Sequence, residues 1–157
     1  MNKFVLIFVL ACTMAISTFE KITAQEIKNK GFDKKLATEL NADEYGMKKY
    51  VMAFLKKGPN RDLDSITRSK LQRAHLDNII KMADDGDLVL AGPFLEDTEL
   101  RGIYIFNVET IEAAKKLTET DPLIQSGGLI MELHTWYGSA ALQAIGNIHK
   151  TIQKKGI

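Results

Sequence analysis

The segment KKYVMAFLK, residues 48–56, carries large apolar side chains on both of its alternating faces: Tyr50, Met52 and Phe54 on one, Val51, Ala53 and Leu55 on the other. A strand of this kind needs cover on both sides, because successive side chains point to opposite faces of a sheet. RGIYIFNV, residues 101–108, repeats the pattern. The chain must therefore supply two layers of cover for its sheet, or borrow one.

The remaining segments can be assigned around these strands. Gly58 and Pro59 break the first strand. A helix of about 20 residues follows, with Asp64 or Ser65 as N-cap and an end by Gly86. DLVLAGPF is a second strand stopped at Gly92–Pro93, LEDTEL a loop, and RGIYIFNV the third strand. Thr110 caps a second helix, IEAAKKLTET, which stops before Pro122. GGLIMELHTWY is the fourth strand, and SAALQAIGNIHKTIQKK reads as an amphipathic C-terminal helix with Leu142, Ile145, His149 and Ile152 on one side. Strand, helix, strand, strand, helix, strand is the ferredoxin-like βαββαβ order of an α+β fold, with both helices on one face of a four-stranded antiparallel sheet. Two helices cover one face only. A second copy of the chain, sheet against sheet, is the simplest cover for the other, and a homodimer is the expectation. A monomer whose tail helix folds over the open face is the alternative.

The ends of the chain set the boundaries. Residues 1–25 begin with Lys3, run through an uninterrupted apolar stretch from Phe4 to Ala11, and reach small and polar residues up to a cut after Ala24 or Gln25. That is the layout of a secretory signal peptide, too short in its apolar run for a stable membrane span. The expected location is exported, periplasmic or secreted. VLAC also resembles a lipoprotein processing box, so a lipid anchor on Cys12 is the alternative, although Leu10 fits such a box poorly. Residues 26–47 read as a polar linker with one helical turn between Phe32 and Leu40, residues 48–138 as the α+β domain, and 139–157 as the tail helix. Cys12 is the only cysteine, so a chain cut beyond it has no thiol chemistry. The formal net charge is +1, which gives no electrostatic footprint for nucleic acid.

His75 raises the chemical question. Leu71, Ile79 and Met82 recur at three- and four-residue steps along one face of the first long helix, and His75 falls on that stripe. Either the ring is a core histidine bonded to a backbone carbonyl, or it faces a ligand. Asp121 is likewise a helix cap for PLIQ, with Pro122 at the first helical position, or a functional carboxylate, or both. Gly92 and Pro93 stop a strand, and a glycine there also lets a ligand approach the backbone. Arg101 is a surface arginine or a partner for an anionic ligand. Glu132, His134 and Trp136 share one face of the fourth strand, either as a polar outer edge or as lining of a site. Three histidines with no H-x-H or H-x-x-x-H spacing argue against a metal, and neither a phosphate loop nor G-x-S-x-G occurs. No cofactor is expected.

MKKYVMAFLKKGPNRD, AHL, LVLAGPF, LRGIYIFNV, AAKKL, DP and ELHTWYG, in this order and spacing over residues 45 to 140, resemble the YCII-related family of small dimeric α+β barrel proteins. ADEYGM ahead of the first strand, with the leader, is similar to an exported branch of it. The resemblance implies a ferredoxin-like fold pairing into a dimer, a small pocket in each subunit, and a His–Asp pair that serves as an acid–base dyad in enzymatic members. One class of those eliminates halide from a chlorinated ring, and the related muconolactone isomerases move protons on small lactones. The family's histidine corresponds to His75 and its aspartate to Asp121. A carboxylate on one ring nitrogen would fix the tautomer and turn the other nitrogen toward an unknown small-molecule ligand. Two functions follow: proton transfer on a small cyclic or carbonyl compound, or non-catalytic binding in the same pocket.

Overall fold

The computed structural model describes residues 31–156; the expected signal peptide, the processing site at Cys12 and the first part of the linker lie outside them. The chain divides into two units, residues 1–36 and 37–157, and the sheet, core and cavities belong to the second. The linker's expected helical turn is α1 (Lys34–Glu39). A turn then leads into the first strand: Asp43 Oδ1 accepts the N–H groups of Tyr45 and Met47, both at 2.9 Å.

Four strands, β1 (Met47–Lys57), β2 (Leu88–Pro93), β3 (Leu100–Phe106) and β4 (Leu129–Ser139), form one antiparallel sheet in the order β2-β3-β1-β4. The helices between them are α2 (Ser65–Asp84), α3 (Ile111–Thr118) and the single turn α4 (Pro122–Gln125). This is the ferredoxin-like arrangement expected from the element order. The caps explain the helix starts. Asp64 accepts from Ile66 and Thr67 N–H at 3.0 and 2.9 Å, and Thr110 Oγ1 accepts from Ala113 N–H at 3.2 Å.

Register decides which residues share a face. Val51 lies opposite Phe106 and Thr135, Ala53 opposite Tyr104 and Leu133, Leu55 opposite Gly102 and Met131. This face carries the core, where Val51, Ala53, Leu55, Tyr104 and Phe106 pack with Met82 of α2, Ala114 of α3 and Leu123 of α4. Leu71 and Ile79 join its margin, as the stripe on α2 predicts. The opposite face carries Tyr50, Met52 and Phe54 with Trp136, His134 and Glu132. Tyr50 is fully buried there and donates to the carbonyls of Ser139 and Ala140, whereas Met52 and Phe54 are half-buried and Ile130 is exposed.

The C-terminal segment departs from the expected continuous helix. β4 runs to Ser139, a 3-10 turn covers Ala140–Ala144, and only Ile145–Ile152 is α-helical (α5). Ser139 Oγ caps the 3-10 turn by accepting from Ala141 N–H at 3.3 Å, and the tighter winding breaks the 3.6-residue period on which the expected stripe depends. Ile148 and Ile152 are exposed and no residue of α5 is buried. No helix among the described residues is long and apolar enough to cross a membrane.

Candidate functional site

α2 places His75 at its middle, on the side that faces the sheet, and its side chain is 8% exposed. Asp121 approaches from the segment after α3. Its carboxylate is fully buried and does two things. Oδ1 accepts the N–H of Leu123 at 2.8 Å, capping α4, and Oδ2 lies 2.6 Å from His75 Nδ1. Cap and histidine partner are therefore the same residue. An ionised carboxylate only accepts, so Nδ1 carries the proton and Nε2 of the neutral ring is left as the acceptor.

Tyr104, on β3, meets that second nitrogen. Its hydroxyl stands 3.3 Å from Nε2, and the two rings lie nearly parallel with centroids 6.3 Å apart. Burial, and secondarily the Asp121 charge, push the phenol well above the ordinary tyrosine range, so Tyr104 is held as a proton donor. Asp121, His75 and Tyr104 thus form one chain of hydrogen bonds running from α4 through α2 to the sheet. Tyr104 was legible only through strand parity: it is opposite Ala53, on the helix-covered face.

The chain of hydrogen bonds ends at a cavity of about 250 Å³. His75 and Tyr104 line it, with Leu55, Leu76, Ile79 and Leu129 supplying apolar wall. Gly92, Pro93 and Arg101 border the same cavity as His75, whereas Asp121 is not on its wall and contacts His75 Nδ1. The close approach of β2 to β3 here requires Gly102, because a Cβ at that position would lie 2.6 Å from the Gly92 carbonyl oxygen. A second cavity of about 400 Å³ adjoins the first and shares Gln72, Arg101, Leu123 and Leu129 with it.

Other candidates fall elsewhere. Glu132 and His134 are on the sheet face opposite the core; they pair with each other at 2.8 Å, and Lys56 holds Glu132 as well. His149 is exposed on α5. Among the described residues no group of three or more His, Cys, Asp or Glu is disposed to hold a metal ion.

The YCII-related domain matches residues 50–136, a span that contains β1 to β4 almost entirely and holds His75, Tyr104 and Asp121. No curated protein matches the chain. Because that span covers more than half of the sequence, the chain belongs to the YCII-related domain family.

Proposed function

We propose that the protein holds a small molecule in the His75 cavity and moves a proton on it, as in an isomerisation or elimination. The observation that carries this reading is the buried His75–Asp121 pair, with Nδ1 engaged at 2.6 Å, beside a cavity that His75 and Tyr104 line. In the proposed reaction Nε2 abstracts a proton from carbon or oxygen of the bound molecule. Asp121 holds the ring in place and stabilises the imidazolium that forms, without itself taking the proton. Tyr104, kept protonated, donates to the oxygen on which charge develops, or returns a proton to the product. A positioned base of this type contributes on the order of 10²–10⁴-fold.

A second reading has its own observation. Nε2 already has a partner in Tyr104, and a network with every atom satisfied also suits a binding module that performs no chemistry. The two separate on one experiment. Purified protein is screened for thermal stabilisation by small lactones and hydroxylated aromatics, since a ligand that binds the folded state raises its apparent stability by mass action. Any compound found is then followed for proton exchange with solvent deuterium. Exchange lost in His75→Ala supports catalysis; binding without exchange supports the module.

Two further parts of the proposal concern the setting. A homodimer formed through the open sheet face is supported by the half-buried Met52 and Phe54 and the exposed Ile130 on or beside it. Export through the leader of residues 1–25 is supported by its sequence layout.

A further inference from the structure

Among the described residues the larger cavity is lined by Lys57, Arg61, Arg68 and Arg101 against a single carboxylate, Asp97, and it adjoins the His75 cavity, with Gln72 and Arg101 on the wall of both. We propose that this cationic vestibule selects a monoanionic ligand, an apolar ring or short chain bearing a carboxylate, with the apolar body against His75 and the carboxylate at Arg101. This deepens the proton-transfer reading and rests on it, because it assumes that the His75 cavity is the ligand site.

Three observations support the assignment. Lys57 Nζ and Arg101 Nη1 both approach the same oxygen of Asp97, at 3.1 and 2.8 Å. Two cations converging on one oxygen form a receptor for an anionic oxygen such as a carboxylate supplies, and Asp97 itself sits on an exposed loop with 87% of its side chain accessible, so an incoming anion can displace it. Arg68 has no carboxylate partner among the described residues; its guanidinium donates only to the Leu63 carbonyl, at 3.1 Å. Arg68, Gln72, His75 and Ile79 also follow one another at four-, three- and four-residue steps, which places them on one side of α2 from the vestibule to the inner cavity. The field of the vestibule therefore points along the route to His75.

The charge count is favourable even with the neighbouring loop included. Glu99 reaches Lys57 and Arg61 only at 4.0 and 3.9 Å, so Asp97 and Glu99 offset at most two of the four cations. The inner cavity, in contrast, has among the described residues no charged side chain on its wall except Arg101 and, if protonated, His75. A molecule with charge at both ends would leave one of them unpaired in apolar surroundings, and a neutral one would forgo the vestibule.

The test uses the full domain and three matched pairs: benzoate, phenylacetate and 3-phenylpropionate, each against its primary amide. Binding is read from the chemical shifts of the His75 and Tyr104 ring signals. The expected result is that at least one acid binds about tenfold more tightly than its amide at low salt, with the ratio shrinking as salt is added. The Arg68→Gln/Arg101→Gln double variant should bring the ratio toward one. Asp97→Asn should raise it, which separates loss of charge recognition from loss of folding. Acids and amides binding equally, or a ratio that survives the double variant, would overturn the vestibule and leave the pocket standing. No pair shifting the His75 and Tyr104 signals would overturn the pocket reading itself, and this inference with it.

Discussion

His75 and Asp121 are 46 residues apart in the chain, and no local pattern joins them. Periodicity places His75 on the inner face of α2, and the Asp-Pro pair marks a helix start, but neither says that the two meet. Only the family resemblance linked them, and the 2.6 Å contact gives that link a geometry. Tyr104 and Arg68 were missed, although strand parity for the first and the Arg68–Gln72–His75 spacing for the second were both present in the sequence. Tyr104 also carries a pH prediction. Its pKa in the folded chain is raised by burial and by Asp121, so the native state holds the proton more tightly than the unfolded chain does. The associated stability is fully present below the ordinary tyrosine value of 10 and declines as pH rises past it. Urea midpoints measured from pH 8 to pH 11 should therefore fall, and should fall less steeply in Tyr104→Phe. Tyr50, raised in the same direction by burial, accounts for part of the remaining slope. At the surface, the Tyr137 hydroxyl bonded to Asp43, with the Met47 N–H, holds that carboxyl below its usual range. Carboxyl NMR should show the Asp43 titration moving up in Tyr137→Phe.

Elements were the most legible scale, for a physical reason. Helix starts are written in short side chains that satisfy backbone N–H groups, and Asp64, Thr110 and Asp121 each do so as their sequence contexts suggest. Strand interiors are written in period-two apolar runs, and β1 and β3 keep theirs. The tail was illegible because Ser139 starts a 3-10 turn, which an apolar spacing of 3.6 cannot announce. The pairing of β2 with β3 follows from the expected fold, but its closeness at Gly102 was not announced, since it depends on that residue having no side chain. Gly102→Ala would place a Cβ 2.6 Å from the Gly92 carbonyl oxygen, and the backbone must give way. The expected loss is about 1–3 kcal/mol in denaturant unfolding, the usual range for overpacking. An unchanged midpoint would show that β2 moves freely. Phe106→Ala, which empties a fully buried position between β1 and β2, should lose about 3–5 kcal/mol.

For the whole molecule, the two sheet faces divide the work. The helix-covered face builds the core, the His75–Asp121–Tyr104 chain and both cavities. The other face is covered by the tail only in part, where Tyr50 bonds to the carbonyls of Ser139 and Ala140. The proposed dimer covers the rest. Phe54, which meets His134 edge-on at 5.7 Å, lies on this face and away from the cavities. Sedimentation of residues 26–157 should give a dimer, and Phe54→Glu should give a folded monomer, because it sets a second carboxylate opposite Glu132 with no further cation to pair with when the face is covered. A wild-type monomer would contradict the dimer and return the open face to another role.

The central claim is that Asp121 fixes the His75 tautomer and leaves Nε2 as the base facing the cavity. Long-range nitrogen–proton NMR of the imidazole, above the pH at which the ring is protonated, reads this directly. The predicted result is a proton on Nδ1 and a bare Nε2 in the wild type. In Asp121→Asn the single side-chain oxygen can stay with the Leu123 N–H while the amide group turns toward Nδ1, so the proton should move to Nε2. A wild-type ring protonated on Nε2, or the same tautomer in both proteins, would contradict the account.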